Sequence, residues 1–359
     1  MTVPRPVYFF IVMALFLLFA PVYAAESDVL ISEGNAYYGQ GMYAEAIEAF
    51  ERAIDIDPSN AAAWYNKGVS LYKLGRVDEA IAAYEVAIGQ DPRNADYWYN
   101  KGNALYSKNL LNEAFAAYDV AIQLDPYDVQ AWMAKGNVLS DQQQYDEAIR
   151  AYDAAIQIDP QNEETWFAKG NAHYNQKNFE DAVSAYEVAL QKDSKDSKAW
   201  YNKGNALYSK GLLNEAYAAY DVAIQLDPYD DQAWMAKGNV LSDQEQYEEA
   251  IRASDAAIQI APNNDATWFA TGNAHYNEGN FEEAVSAYEV ALQQNSKDSK
   301  AWYNKGNAQY NLGDLDAALK SYEMALAYNP RDAVAFTNKG MALADLNQYE
   351  DAIDAYEDA

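Results

Sequence analysis

The sequence predicts an all-α solenoid, in which helical hairpins stack in one array from residue 27 to residue 359. The first observation is the spacing of tryptophan, since eight of these residues recur at intervals of 34 from Trp64 to Trp302. The second is that apolar residues recur twice at helical spacing within each interval. A fixed period of this length indicates stacked hairpins, because one hairpin cannot bury its apolar face alone.

The first helix of each hairpin is predicted from positions 4 to 12 of the repeat. We number each repeat so that its tryptophan stands at position 4, and in repeat 2 Trp64, Gly68 and Leu71 recur at helical spacing. Position 15 is expected to end this helix in the left-handed conformation, because it is Gly or Asn in seven repeats. These residues are Gly41, Gly75, Asn109, Gly211, Gly279, Gly313 and Asn347. Repeats 1 to 10 begin at residues 27, 61, 95, 129, 163, 197, 231, 265, 299 and 333.

The second helix is predicted from Ala80, Tyr84 and Ala87 of repeat 2 and their counterparts. Position 19 is acidic in nine of ten repeats, which suits the positive end of a helix. Position 32 is Pro in seven of the nine repeats that reach it, and Ser194 and Ser296 are the exceptions. Because Pro cannot continue a helix, it is expected to stop the second helix.

This pattern resembles the tetratricopeptide repeat, whose units carry Trp at position 4, Gly at 8, Ala at 20, an aromatic residue at 24, Ala at 27 and Pro at 32. The resemblance covers nine full repeats, residues 27–332, and a partial tenth, residues 333–359. Repeat 1 departs from it, with Leu30 at position 4. The resemblance implies a right-handed superhelical solenoid that serves as a protein–protein interaction scaffold. It also implies a concave groove lined by positions 2, 5, 9 and 12 of the first helices.

These groove positions, together with position 6, are rich in asparagine and tyrosine. An Asn amide offers a donor and an acceptor, so a row of them suits an extended peptide backbone. Tyrosine adds flat contact area and a hydroxyl. The predicted peptide-binding residues are Tyr65, Tyr99, Tyr201 and Tyr303 at position 5, Asn66, Asn100, Asn202 and Asn304 at position 6, Asn103, Asn137, Asn171, Asn205, Asn239, Asn273 and Asn307 at position 9, and Tyr72, Tyr106, Tyr174, Tyr208 and Tyr276 at position 12.

Residues 1–25 differ from the repeats. Val7 to Ala20 is an uninterrupted apolar run of 14 residues, followed by Pro21 and by the small residues Ala24 and Ala25. This layout predicts a secretory signal peptide. The alternative is an uncleaved membrane anchor, because Val7 to Ala25 contains 19 uncharged residues. Both interpretations predict an extracytoplasmic protein, secreted or held at the cell envelope.

The composition excludes several functions. Twenty-five Lys+Arg against 55 Asp+Glu give a net charge of −30, which argues against nucleic acid as a partner. The chain has no Cys, so thiolate metal sites and cysteine nucleophiles are excluded. The two His residues, His173 and His275, both stand at position 11, where a hydrogen-bonded core histidine is expected. We therefore predict no enzyme, no cofactor and no metal site.

Charge is distributed unevenly over the repeats. The forty groove positions hold only Asp28, Asp96, Glu164, Lys198 and Lys300, a net charge of 2 − 3 = −1. The acidic residues therefore belong mainly to a solvated outer face. Lys stands at position 7 in eight repeats, and there we expect ion pairs with neighbouring acids rather than a stripe that reads a ligand.

Residues 99–196 are identical to residues 201–298 at 82 of 98 positions, an offset of three repeats. This similarity indicates a tandem duplication. A unique catalytic site is not expected inside a block that was copied whole, so we expect repeat number and groove length to matter.

Two alternative functions stay open at this point. One is a cell-envelope spacer or a glycan-binding array, because rows of aromatic and amide groups also suit sugar faces. The other is the interaction domain of a longer protein, because repeat 10 ends at Ala359 without a polar capping helix. Self-association through this uncapped repeat is a further expectation.

Overall fold

The structure of the chain is a computed structural model that describes residues 26–359. Residues 1–25, where the signal peptide or anchor is predicted, lie outside the described residues. The described part is all-α and contains 20 helices and no strand, which confirms the predicted fold class. None of these helices is both long enough and apolar enough for a membrane span.

The chain divides into two compact bodies, and the first of them ends at Gln176. Its helices follow the repeats as predicted, two to a repeat, and successive helices pack against each other. They are α1 (26–39), α2 (Tyr43–Ile56), α3 (Ala61–Lys73), α4 (Val77–Gln90), α5 (Ala95–Ser107), α6 (Leu111–Leu124), α7 (Val129–Asp141), α8 (Tyr145–Ile158) and α9 (Glu163–Asn175).

The second body comprises Lys177–Ala359 and follows the same plan. Its helices are α10 (Phe179–Lys192), α11 (Ser197–Ser209), α12 (Leu213–Leu226), α13 (Asp231–Asp243), α14 (Tyr247–Ile260), α15 (Asp265–Glu278), α16 (Phe281–Gln294), α17 (Ser299–Asn311), α18 (Leu315–Tyr328), α19 (Ala333–Asp345) and α20 (Tyr349–Glu357). The prediction of one continuous array over both bodies stays a prediction.

The left-handed turn predicted at position 15 is present in every repeat where Gly or Asn stands there. Gly75 has φ +76° and Asn109 has φ +59°. Gln143 and Glu245 adopt the same conformation, both with φ +60°. The geometry of the hairpin therefore imposes this conformation even where the residue does not favour it.

Proline is not the only cause of the end of the second helix. Helices α10 and α16 end at position 30, as the second helices of the other full repeats do, although Ser194 and Ser296 replace Pro after them. The carbonyl of Ser194 accepts a hydrogen bond from Trp200 Nε1 at 3.1 Å, as the carbonyl of Pro126 does from Trp132. The indole at position 4 thus fixes the preceding loop whichever residue stands at position 32.

The interior of most hairpins depends on the tyrosine at position 24. Tyr118 and six of its counterparts are only 1% exposed, whereas Tyr356 of the last repeat is 44% exposed. The ring of Tyr118 lies against the glycine at position 8 of its repeat. A Cβ atom on Gly102 would lie 2.5 Å from Tyr118 Cε1, closer than van der Waals contact allows. Glycine is therefore required where the first helix crosses this ring.

Candidate functional site

The asparagines at position 9 are hydrogen-bonded inside their own hairpins. In five repeats the buried hydroxyl of the position-24 tyrosine donates to the side-chain oxygen, Asn Oδ1, over 2.7 to 2.9 Å. This bond fixes the orientation of the amide. The pairs are Tyr118–Asn103 and Tyr152–Asn137 in the first body, and Tyr220–Asn205, Tyr288–Asn273 and Tyr322–Asn307 in the second.

In two of these repeats the same oxygen accepts a second hydrogen bond. Asn304 donates to Asn273 Oδ1 and Asn338 to Asn307 Oδ1, each over 2.9 Å. An amide oxygen has two acceptor sites, and here both are used. Asn103 also bonds to the side chain of Tyr99. The half-buried Nδ2 groups of the other four asparagines bond to no other residue of the described chain. The row therefore presents mainly donors, not the mixed donors and acceptors that the sequence suggested.

The asparagines at position 6 link successive repeats rather than standing free. Asn66 donates to Asn35 Oδ1 over 3.1 Å, and Asn100 donates to the Tyr65 hydroxyl over 3.0 Å. Asn304 bonds to Asn273, as described above. Asn202 lies half-buried in α11. Position 6 thus stabilises the stack of first helices.

The aromatic residues at position 5 pack into the hairpin core. Their rings are tilted against the position-24 tyrosine with centroids about 6 Å apart, as in Tyr65–Tyr84 and Tyr303–Tyr322 (both 6.0 Å). Tyr99 and Tyr201 make the same contact at 5.9 Å. Burial raises the pKa of Tyr65 to about 12. These rings form the floor of the groove and have only part of their surface available to a ligand.

The tyrosines at position 12 lie nearer the solvent. Tyr106 donates to Asp141 Oδ2 over 2.5 Å, and Tyr208 donates to Asp243 Oδ2 over 2.6 Å. Burial, and after it the bond to Asp243, raises the pKa of Tyr208 to about 12. The hydroxyl of Tyr276 accepts from Asn311 over 3.1 Å. The remaining predicted groove residues are half-buried on their first helices: Tyr72 in α3, Asn171 and Tyr174 in α9, and Asn239 in α13.

The second body contains a cleft of about 400 Å³ on the groove side of α13, α15 and α17. Six predicted residues line it: Tyr208, Asn239, Asn273, Tyr276, Asn304 and Asn307. Small side chains open the space, since Ser242 stands at position 12, where Tyr is usual, and Ala270 stands at position 6. Asp243 at position 13 also lines the cleft, although no sequence pattern had marked it.

The lysines at position 7 form ion pairs, as expected. Each Nζ lies 2.6 to 3.5 Å from an acid on the second helix of the preceding repeat. Lys135, for example, pairs with Asp119 at 2.6 Å and lies 5.4 Å from the ring centroid of Trp132. The ammonium lowers the pKa of Asp119. These lysines therefore link repeats and do not form a stripe that reads a ligand.

The expected hydrogen-bonded core histidine is not found at His275. Its side chain is half-buried, and its enclosed Nδ1 has no hydrogen-bond partner within residues 26–359. In the same residues, no group of three or more His, Asp or Glu side chains is arranged to hold a metal ion.

The predicted groove residues are thus held in place by hydrogen bonds to residues that the sequence analysis did not name, above all the tyrosines at position 24. The tyrosines at position 24 follow the asparagines at position 9 by 15 residues in each pair, a constant spacing that the sequence already contains. Two repeats with Asn at position 9 lack this tyrosine: Phe50 follows Asn35, and Ser254 stands where repeat 4 has Tyr152.

Sequence profiles of known families match most of the chain. Those described as tetratricopeptide repeat match residues 31–95, 87–129, 117–150, 167–231, 235–299, 299–332 and 321–354, and one described as TPR repeat matches residues 136–177. No curated protein shows a significant sequence match to the chain.

Several solved structures resemble the chain. A tetratricopeptide repeat protein from Parabacteroides merdae is 15% identical, with a TM-score of 0.53, and the match covers 70% of this chain and 99% of that one. PilF of Pseudomonas aeruginosa is 19% identical, with a TM-score of 0.52, over 59% of this chain and 96% of that one. YrrB, described as a TPR protein with an unusual peptide-binding site, is 26% identical over 52% of this chain and 96% of YrrB, with a TM-score of 0.46. The first two matches show the fold alone.

Proposed function

Because the chain belongs to the tetratricopeptide repeat family, we propose that it holds an extended peptide segment of a partner protein in the groove of its first helices. Proteins of this family act as protein–protein interaction scaffolds. The observation that carries the proposal is the row of position-9 amides whose oxygens are engaged and whose Nδ2 groups, in four of the five repeats, are not. Such donors suit the carbonyl oxygens of a peptide backbone, which every peptide carries whatever its side chains.

The proposed binding is non-enzymatic. Catalysis needs a nucleophile or an acid–base pair arranged around a substrate. The polar groups of the groove are mainly amides and hydroxyls in bonds between helices, and the carboxylates of Asp141 and Asp243 accept from tyrosines. Those bonds keep the donors in fixed positions, which reduces the entropy lost when a peptide binds. A spacer would not require this orientation of the amides.

The test removes the Nδ2 donors while it keeps the hydrogen bonds that stabilise each hairpin. Replacing Asn103, Asn137 and Asn205 by Asp keeps an oxygen that accepts from the buried tyrosine but removes the Nδ2 donors. Replacement by Ala would instead leave the tyrosine hydroxyl unpaired and destabilise the hairpin. A matched control introduces the same three charges on second helices, where Gln157→Glu, Gln191→Glu and Gln259→Glu change exposed side chains.

The assay uses a dodecapeptide selected by phage display on the full chain, and its affinity is measured by calorimetry. We expect the triple Asn→Asp variant to bind it at least tenfold more weakly, because each lost hydrogen bond contributes about 0.5–1.5 kcal/mol. The Gln→Glu variant should bind as the parent does. Equal binding by the parent and the triple variant would refute binding through the groove. Binding to a glycan array by the same protein, with no peptide selected, would favour the alternative.

We also propose that the scaffold acts outside the cytoplasm. The support is the sequence of residues 1–25, whose apolar run and small residues are typical of a secretory signal peptide or an anchor. An alkaline phosphatase fused after residue 60 should be active in cells only if the fusion is exported. An inactive fusion that is well expressed would contradict the proposal.

A further inference from the structure

Asn239 differs from the other asparagines of the row because neither of the usual donors reaches its oxygen. The position-24 residue of its own repeat is Ser254 rather than Tyr, and the position-6 residue of the next repeat is Ala270 rather than Asn. The Asn239 side chain accordingly makes no hydrogen bond to any other described residue, although it lies in the wall of the cleft. Both its oxygen and its nitrogen are available to a ligand.

The difference at Ser254 is specific to the second copy of the duplicated block. Its counterpart in the first copy is Tyr152, which is 1% exposed and donates to Asn137 Oδ1 over 2.8 Å. Ser254 is just as enclosed, at 2% exposed, but its hydroxyl is too short to make this bond. Two otherwise similar hairpins thus present a bonded amide in one copy and an unbonded amide in the other.

A carboxylate stands one helical turn from Asn239 on the same helix. Asp243 is exposed, and its Oδ2 accepts from the Tyr208 hydroxyl over 2.6 Å. Its Oδ1 has no partner in the part of the chain that the structure describes, and no Lys or Arg lines the cleft. Residues at i and i+4 of a helix have neighbouring side chains, so the Asn239 oxygen and the Asp243 carboxylate face the same volume.

We propose that this cleft binds the side chain of an arginine in the extended peptide, a deepening that rests on the proposed function. The planar guanidinium carries five N–H donors and no acceptor. It can donate to Asp243 and to the Asn239 oxygen together, whereas an ammonium lacks this fork. A glutamate in the same place would meet a like charge. The peptide backbone would lie along the neighbouring amides Asn273 and Asn307, which offer their Nδ2 donors.

The test selects random dodecapeptides by phage display on the full chain and on three variants, at physiological salt so that the net negative charge is screened. Asp243→Asn keeps an oxygen for the Tyr208 hydroxyl and removes the charge. Ser254→Tyr supplies the hydroxyl that occupies the Asn239 oxygen elsewhere in the row. The matched control is Asp141→Asn, which removes the charge of the equivalent Tyr–Asp pair beside an asparagine that Tyr152 already satisfies.

We expect peptides selected on the parent and on Asp141→Asn to be enriched in arginine at one position. Peptides selected on Asp243→Asn and on Ser254→Tyr should lack this enrichment. In a selected peptide, replacing that arginine by the neutral isostere citrulline should weaken binding to the parent about tenfold, and binding to Asp243→Asn by much less. Peptides that bind the groove without any arginine preference, or an enrichment that survives Asp243→Asn, would overturn the inference and leave the proposed function intact. A failure to select any peptide would count against both.

Discussion

The contact between the glycine at position 8 and the tyrosine at position 24 predicts that Gly→Ala has different effects on stability at three sites of the chain. Adding a methyl group at Gly102 places Cβ 2.5 Å from a ring that is 1% exposed and cannot move away. Overpacking of this kind costs about 1–3 kcal/mol. Replacing Gly by Ala within a helix recovers about 0.5–1 kcal/mol. Gly102→Ala should therefore lower the free energy of unfolding by up to about 2.5 kcal/mol.

Two glycines of the same chain serve as controls. At Gly89, in α4, a Cβ would meet no atom within 4 Å, so Gly89→Ala should stabilise the protein by about 0.5–1 kcal/mol. At Gly238 the nearest atom is Ser254 Oγ at 3.0 Å, because the tyrosine is missing there. Gly238→Ala should consequently change stability by less than about 1 kcal/mol.

The assay is native-state hydrogen exchange of the full chain, which reports the stability of each hairpin separately. A single melting temperature is less suitable, since repeat arrays depart from two-state unfolding. Exchange should accelerate in α5 and α6 of Gly102→Ala and remain nearly unchanged in α13 and α14 of Gly238→Ala. Equal protection in Gly102→Ala and Gly89→Ala would refute the proposed contact.

Further predictions follow from the lysines, the tyrosines and the repeat number. Lys135→Met should destabilise α6 and α7 by about 0.5–1.5 kcal/mol in native-state hydrogen exchange, because it loses an ion pair and a cation–π contact but keeps the apolar stem. The pKa of Tyr208 is raised above its unfolded value, so its contribution to stability is present below pH 10 and lost as the pH rises towards about 12. In ring-labelled tyrosine NMR, Asp243→Asn should lower this pKa only in part, since burial is the larger cause. Deleting residues 99–200 in frame, which removes three repeats, should weaken binding of a groove-spanning peptide in calorimetry, and unchanged affinity would contradict a role for groove length.

The sequence predicts the helices and turns well because their causes are local. The 34-residue period, the left-handed Gly75 and the ion pairs of residues such as Lys135 each depend on residue type and spacing along one or two repeats. The end of the second helix is an instructive exception. Ser194 replaces Pro there, and the helix still stops because an indole from the next repeat bonds to the loop.

The groove is less predictable because its chemistry depends on which partners each polar group already has. Composition marks Asn103 and Tyr65 as ligand-binding residues. It does not reveal that the Asn103 side-chain oxygen already accepts a hydrogen bond from a tyrosine, or that the Tyr65 ring packs into the hairpin core. The cleft arises from small side chains on different helices, Ser242 and Ala270, and no single repeat contains that information. The absence of a tyrosine at Ser254 becomes meaningful only when the hydroxyl contact in the other repeats is known.

The central claim is that the position-9 Nδ2 groups donate to a bound peptide, and side-chain amide NMR measures this directly. The spectrum of isotope-labelled protein is followed while a selected dodecapeptide is added. The side-chain amide signals of Asn103, Asn137 and Asn205 should shift downfield in proportion to the bound fraction, because their protons enter new hydrogen bonds. A peptide that saturates the protein while these signals stay in place would contradict the claim.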